Sequence, residues 1–288
     1  MARILRNLTF SLLAAALVLG TMEVALRLSG WPDPGLYDGD TASLWTLRAN
    51  LPARAIPFRE RGSQFSVRTN SFGYRGAEPA PGAIVCLGDS TTFGWGVEEE
   101  EAWPAVLGRE TGRRTVNAGV PGYSTVQALA TIDHALTMKP SLVLLAYLVR
   151  DAELAPMADT DRPTPPARPR LALLNAMRTL RGAPPAPPGI VPRVPPAQYA
   201  ENLRLLVARV RAAGANVRIL AFPMQKPPVE HLAALEHLRS DVPILAPALP
   251  AEAFFAEDPI HLTVAGNAAL ASLLAGELTG APTFRVAP

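Results

Sequence analysis

Short apolar runs alternate with longer segments of helical periodicity over the last two thirds of the chain. The first run, residues 84–87, holds four apolar residues and stops at Gly88. Uninterrupted runs of this kind are typical of strands buried on both faces of a parallel sheet. Further strands are predicted at residues 115–117, 141–148, 217–222 and 242–245, and helices at 102–111, 124–137, 196–213, 229–240 and 263–278. This alternation predicts an α/β fold, a three-layer α/β/α domain around a doubly wound parallel sheet with right-handed crossovers.

Residues 1–30 have the layout of a targeting segment. Arg3 and Arg6 precede an uncharged run at 8–22. This run is shorter than the about 20 residues that a spanning helix needs, but further apolar residues follow Glu23 and would extend the apolar face of the helix. No clear cleavage site precedes Glu23, which favours an uncleaved signal anchor over a cleaved export signal. The expected location is therefore the membrane, with the rest of the chain outside the cytoplasm. Cleavage would instead release a secreted protein.

Three segments lie outside the alternating pattern. Residues 31–82 are rich in Gly, Pro, Asp and Arg and predict an extended arm with one short edge strand at 64–68. Residues 155–195 form an insertion into the domain at 83–280, rich in Pro and Arg and interrupted by a helical pattern at 170–181. That helix either packs on the domain or forms a basic amphipathic lid or membrane-surface helix. Residues 281–288 are interpreted as a tail.

Composition excludes several function classes. The 288 residues are 49% hydrophobic and 18% charged, as in a globular protein. The net charge of +2 is too small to indicate a surface that binds nucleic acid. The single cysteine, Cys86, excludes an intramolecular disulfide and a multi-cysteine zinc site. The acidic run at 98–101 is interpreted as a partner of a helix dipole rather than a metal site. No metal and no cofactor are expected, and the oligomeric state is left open.

Four loops are expected to meet at one edge of the sheet, because the carboxyl ends of parallel strands lie together. They carry Ser90, the glycine-rich residues 118–123, the pair Arg150 and Asp151, and residues 258–261. Ser90 follows a glycine turn, so its hydroxyl and its backbone N–H can face the same space.

Acyl transfer by a serine also needs a base and a carboxylate that orients it. Asp258 and His261 can meet within one turn of loop and are the candidates for this pair. The other histidines are given no chemistry: His134 is expected to be packed in a helix, and His231 and His237 are expected on a helix surface.

The residues resemble the SGNH hydrolases, also called GDSL esterases and lipases. Residues 88–90, 117–122 and 258–261 are similar to three of the family's sequence blocks, in the same order, within residues 84–278. The resemblance implies a flavodoxin-like sheet with strand order 2-1-3-4-5 and hydrolysis of small acyl esters. It further implies the following roles: nucleophile Ser90, base His261 and its partner Asp258; an oxyanion hole of the Ser90 and Gly122 N–H groups; and structural support from Asp89, Asn117 and Gly119.

One block departs from the family pattern. Aligning Asp151 with the aspartate of the family's third block, Gly-x-Asn-Asp, puts Arg150 where the asparagine that donates to the oxyanion belongs. Arg150 either replaces this donor with a charged one or carries its guanidinium past the hole to a carboxylate such as Asp151 or Asp89. We expect the second arrangement, an ion pair and a slow enzyme, because the loss of one donor costs about a hundred- to a thousandfold in rate.

The function expected from these features is that of an exported, membrane-anchored serine esterase. Its substrates would be small O-acyl esters, including acetyl esters, of a glycan or a lipid. Two alternatives stay open: an acyltransferase that uses the same residues, and a catalytically silent binding module that keeps the fold.

Overall fold

The computed structural model describes residues 2–31, 35–58, 63–164, 171–182 and 187–280. The expected tail at 281–288 and Arg170, the first residue of the helix expected in the insertion, lie outside these ranges. In chain order the strands are β1 Tyr37–Asp40, β2 Leu44–Leu47, β3 Arg54–Phe58, β4 Ser63–Val67, β5 Ile84–Gly88, β6 Thr115–Gly119, β7 Leu142–Ala146, β8 Leu154–Ala155, β9 Val191–Pro192, β10 Asn216–Leu220, β11 Ile244–Leu245, β12 Phe254–Phe255 and β13 Asp258–Leu262. The α-helices are α1 Ala2–Ser29, α2 Ser90–Phe93, α3 Trp103–Thr111, α4 Thr125–Leu136, α5 Val149–Ala152, α6 Ala172–Arg181, α7 Pro196–Ala212, α8 Val229–Glu236 and α9 Val264–Thr279.

Five parallel strands form the central sheet in the order β11-β10-β7-β5-β6. Numbered along the chain, this is the order 2-1-3-4-5, so the expected fold class is confirmed. The register pairs Gly88 with Gly119 on one side and with Ala146 on the other. The carboxyl ends of β5, β6 and β7 are therefore level, and the residues that follow them are neighbours.

Helices cover both faces of the sheet because β5 and β7 are apolar at every position. Ile84 and Cys86 pack with α3 and α9, whereas Val85 and Leu87 belong to the core on the side of α4 and α7. Cys86 is fully buried, and burial raises the pKa of its thiol, which fits a packing role.

The arm folds into two antiparallel hairpins, β1 with β2 and β3 with β4, of which the sequence pattern predicted only the last strand. A buried arginine, Arg75, joins the arm to the turn after Ser90. Its guanidinium donates to the carbonyls of Phe93 and Gly94 on one side and of Ser66 and Val97 on the other, at 2.8–2.9 Å. The arm is thus fastened to the segment that presents Ser90.

The N-terminal helix α1 has no buried residue. Its length and apolar composition would let it cross a membrane, properties that a signal sequence shares. The Glu23 carboxylate links it to the remainder of the chain, because it accepts hydrogen bonds at 2.9 Å from the N–H groups of Ala172 and Leu173 at the start of α6. In α6 only Ala176 is buried, so this helix does not pack on the domain along an apolar face.

Candidate active site

Ser90 is the first residue of α2, directly beyond the end of β5. Gly88 permits the close approach of the chains there, because a Cβ on it would lie 2.7 Å from the carbonyl oxygen of Ala146. The Asp89 side chain caps α2 by accepting from the N–H and hydroxyl of Thr91 at 2.8 and 2.7 Å. Asp89 therefore stabilises the turn that presents Ser90.

A hydrogen-bond chain connects Ser90, His261 and Asp258. His261 Nε2 lies 2.8 Å from Ser90 Oγ, and its Nδ1 lies 2.5 Å from Asp258 Oδ2. The other oxygen of Asp258 accepts from the N–H groups of Ile260 and His261 at 3.2 Å. The sequence placed Asp258 and His261 in a loop, but they lie on β13, which pairs with β12 and thereby holds the imidazole in a fixed orientation.

The Asp258 carboxyl is ionised at neutral pH. Burial alone would raise its pKa, but the hydrogen bond and charge of His261, together with the two N–H donors, outweigh burial and lower the pKa. A carboxylate at this position accepts a hydrogen bond from Nδ1–H and leaves Nε2 free to accept the proton of the Ser90 hydroxyl.

Gly122 lies in the loop after β6, residues 120–123, termed the Gly122 loop. Its φ of +87° is a conformation that favours glycine. Neither the Gly122 N–H nor the Ser90 N–H makes a backbone hydrogen bond in the described part of the chain, so both are available to a ligand. Asn117 supports this loop: its Oδ1 accepts from the N–H of Gly119 and its Nδ2 donates to the Phe93 carbonyl, both at 3.1 Å.

Arg150 lies on α5, after β7, and faces two groups. Its Nη1 pairs with Glu153 Oε1 at 3.0 Å, and its Nη2 lies 3.4 Å from Ser90 Oγ. The ion pair was expected, but the expected partners Asp89 and Asp151 were wrong, and the guanidinium stays beside Ser90 instead of turning away. Asp151 is fully buried and accepts from the N–H and the hydroxyl of Thr125.

Arg193, in the insertion, is a site residue that the sequence analysis missed. Its Nη2 donates to the Gly122 carbonyl at 2.6 Å, and its Nη1 lies 3.2 Å from Glu153 Oε2. The buried Asp159 holds the same guanidinium at 2.8 Å. Glu153 therefore bridges Arg150 to Arg193, and through them Ser90 to the Gly122 loop.

The first hairpin of the arm, β1 with β2, also borders the site and was not expected there. Trp45 Nε1 donates to the carbonyl of Pro121 at 3.2 Å, and the Tyr123 hydroxyl donates to the Trp45 carbonyl at 2.7 Å. Tyr37 is near enough to Arg150 for that charge to lower its pKa, although burial dominates and raises the pKa to about 12.

The remaining histidines are not part of this hydrogen-bond chain. The prediction that His134 is packed was wrong: it lies on the exposed side of α4, with Nε2 3.1 Å from the Phe72 carbonyl oxygen, whereas His237 is exposed as expected. The prediction of a surface position for His231 was wrong: it is buried, because its Nε2 bonds to the Val194 carbonyl at 2.8 Å and Tyr199 packs on its ring. No group of three His, Cys, Asp or Glu side chains suited to a metal occurs among the described residues.

Comparisons with known proteins give one family match and several similar folds. The model of the GDSL-like Lipase/Acylhydrolase family matches residues 86–269, more than half of the chain. None of the curated proteins matches at a significant level.

Among solved structures, an inhibitor-bound aryl esterase from M. smegmatis is 16% identical over 70% of this chain and 100% of that chain, with a TM-score of 0.48. An esterase from Pseudoalteromonas sp. is 17% identical over 69% and 97%, with a TM-score of 0.48. A mutant acetyl-xylooligosaccharide esterase from Geobacillus stearmophilus is 16% identical over 73% and 98%, with a TM-score of 0.47.

Proposed function

The chain belongs to the GDSL-like Lipase/Acylhydrolase family, and from this premise we propose that it is an exported, membrane-anchored serine esterase that hydrolyses O-acyl esters of a glycan or a lipid. The observation that carries the proposal is the chain of contacts from Asp258 through His261 to Ser90 Oγ. Its distances are those of proton transfer between a base and a nucleophile.

In the proposed mechanism, Ser90 Oγ attacks the ester carbonyl carbon while His261 Nε2 takes the hydroxyl proton. The Asp258 carboxylate stabilises the imidazolium that forms. His261 then gives the proton to the leaving alcohol as the tetrahedral intermediate collapses to an acyl-Ser90 ester. Water then attacks this ester while His261 Nε2 takes its proton, and His261 gives that proton to Ser90 Oγ as the acid leaves.

The negative charge on the carbonyl oxygen needs donors that are already in place. The N–H groups of Ser90 and Gly122 are proposed as two of them, and Arg150 Nη2, beside Ser90 Oγ, as the third. Arg193 supports the same arrangement, because it binds the Gly122 carbonyl and the Glu153 carboxylate that holds Arg150.

The N-terminal helix supports the proposed location at a membrane. Arg3 and Arg6 precede its apolar part, which fits a cytoplasmic start. Glu23, beyond the apolar run, accepts hydrogen bonds from the first N–H groups of α6, so the end of α1 contacts the rest of the chain.

The test is ester turnover by the full chain in phospholipid nanodiscs. Ser90→Ala and His261→Ala should each lower kcat for p-nitrophenyl acetate by at least about a thousandfold, because the triad acts as a unit. Ser240→Ala and His237→Ala, exposed residues of the same types, are the matched controls.

Wild-type turnover in either triad variant would reject the assignment, and no turnover by the wild type would support a silent binding module. Transfer to an added alcohol in preference to water would indicate an acyltransferase.

A further inference from the structure

An apolar cavity of about 460 Å³ opens between the first hairpin of the arm and the insertion. Its apolar lining comes from both segments: Leu44, Trp45, Pro156, Met157, Pro163 and Pro187. Arg162 also lines the cavity, but its Nε is paired with the buried Asp159 carboxylate at 2.7 Å. Cavities of this volume and apolar character bind small organic ligands.

Trp45 is held in a defined position at the wall of this cavity. Leu44, the residue before it, has a φ of +69°, a strained conformation for a residue with a branched side chain. The turn is fixed by the Asp40 carboxylate, which accepts from the N–H and the hydroxyl of Ser43 at 2.6 and 2.9 Å. The turn thus sets the backbone position from which Trp45 reaches the cavity wall.

The same ring touches the Gly122 loop. Trp45 Cζ2 lies 3.0 Å from the position that a Cβ on Gly122 would occupy, and the indole N–H is bonded to the Pro121 carbonyl. Trp45 thus lines the cavity and also contacts the loop to which we assign an oxyanion donor.

The proposed reaction fixes which part of an ester would extend towards Trp45. The leaving oxygen must stay within reach of His261 Nε2, which returns the proton. With the carbonyl oxygen at the Gly122 N–H, the acyl chain is the one group of the ester that neither His261 nor the oxyanion donors hold.

We propose that this cavity binds the acyl chain of the substrate and makes the protein an esterase for acyl chains longer than acetyl. The proposal rests on the serine esterase function and narrows its substrate class. The arm, which supplies Leu44 and Trp45, lies outside the family match at 86–269, so the match does not account for this wall.

The test compares p-nitrophenyl acetate, butyrate, hexanoate and octanoate with the full chain in nanodiscs. Burial of one methylene changes an equilibrium by up to about fourfold, so the octanoate-to-acetate ratio of kcat/KM should exceed about ten in the wild type. Met157→Gln places an amide in the apolar wall without touching the Gly122 loop and should lower that ratio by about tenfold.

Met177→Gln is the matched control, because Met177 is similarly exposed, 49% against 42%, but lies on α6 away from the cavity lining. A flat chain-length profile in the wild type, or equal loss of the ratio in both methionine variants, would overturn the cavity proposal. Turnover of acetate in the same samples would leave the esterase function standing.

A binding measurement tests the cavity proposal in the case where the protein shows no esterase activity. Octanoate titrated into Ser90→Ala should change tryptophan fluorescence saturably, and Trp45→Phe in that background should abolish the change. Binding in a protein without any ester turnover would keep the cavity and reject the esterase. No saturable change, or one that persists without Trp45, would reject the cavity as the binding site.

Discussion

Arg150 stands where the resemblance to the family implies an asparagine, and its effect on the rate depends on two opposing charges. A guanidinium beside Ser90 favours an oxyanion but opposes the imidazolium of His261. Unit charges about 4 Å apart interact by about 4 kcal/mol at an effective dielectric of 20, and partial exposure of Arg150 reduces this figure. The Glu153 carboxylate, 3.0 Å from Arg150 Nη1, offsets the repulsion between the guanidinium and the imidazolium.

Arg150→Met keeps the length of the side chain and removes its donors. We expect kcat to fall by about a hundredfold with little change in KM, because the lost contact acts mainly in the transition state. Steady-state kinetics with p-nitrophenyl butyrate measure both constants, and Arg204→Met, on the exposed side of α7, is the control. A rise in kcat would show that Arg150 hinders the reaction.

Asp151 is a buried carboxyl group whose protonation links stability to pH. Burial raises its pKa to about 7, against the lowering effect of the two Thr125 hydrogen bonds. The unfolded value is about 4, so the folded state holds the proton more tightly. The resulting stabilisation is complete below about pH 4 and is lost as the pH rises to about 7.

The free energy of unfolding should therefore fall between pH 4.5 and 7, by up to about 1.4 kcal/mol per pH unit from this group. Asp151→Asn removes the titration and should flatten the slope. Urea unfolding of both proteins at pH 4.5, 5.5 and 6.5 measures the difference. Equal slopes would mean that Asp151 is ionised over the whole range.

At the scale of elements, the Glu23 contact makes α6 dependent on α1. The N–H groups at the start of a helix lack partners within it, and Glu23 supplies acceptors to two of them in α6. Leu174, Met177 and Leu180 are exposed on α6, next to Arg178 and Arg181. A helix of this kind suits the membrane surface at which α1 would emerge.

Glu23→Gln should loosen α6 and speed tryptic cleavage at Arg178 and Arg181 in detergent solution. Glu252→Gln, an exposed residue near β12, is the control. Mass spectrometry of the fragments gives the cleavage rates. Equal rates in the wild type and Glu23→Gln would mean that α6 holds its structure without α1.

The strands of the sheet could be predicted because burial on both faces leaves an unbroken apolar run, as in β5 and β7. The strands of the first hairpin could not, because β1 reads Tyr-Asp-Gly-Asp and is half-exposed. The position of this hairpin depends on contacts with residues far along the chain, such as those of Trp45 in β2 with Pro121 and Tyr123.

The residues of the candidate site also fall into two groups, those that the sequence predicts and those that it does not. Ser90, Asp258 and His261 stand in local patterns that a sequence displays, a glycine turn and an Asp-x-x-His spacing. Glu153 lies just before the insertion, 40 residues from Arg193, and Arg193 lies where prolines and arginines repeat without a pattern that would single out one of them. The pairing of β8 with β9, together with the hydrogen bonds from the Arg193 N–H to Glu153 and from the Asp159 N–H to Arg193, brings the ends of the insertion together.

At the scale of the whole molecule, three segments of different character meet at one sheet edge. The α/β domain supplies the proposed nucleophile and base, the insertion supplies Arg193, and the arm supplies Trp45. The arm begins a few residues after α1, so an anchored α1 would keep this edge of the sheet close to the membrane. That arrangement fits an esterase whose acyl substrates are themselves at or in a membrane.

The central claim is that Ser90 is an activated nucleophile. A fluorophosphonate reacts with such a serine and leaves a covalent adduct that peptide mass spectrometry assigns to one residue. We predict a single adduct on Ser90 in the wild type, and none in Ser90→Ala or His261→Ala protein of unchanged thermal stability. An unlabelled wild-type protein, or labelling that persists in Ser90→Ala, would contradict the account.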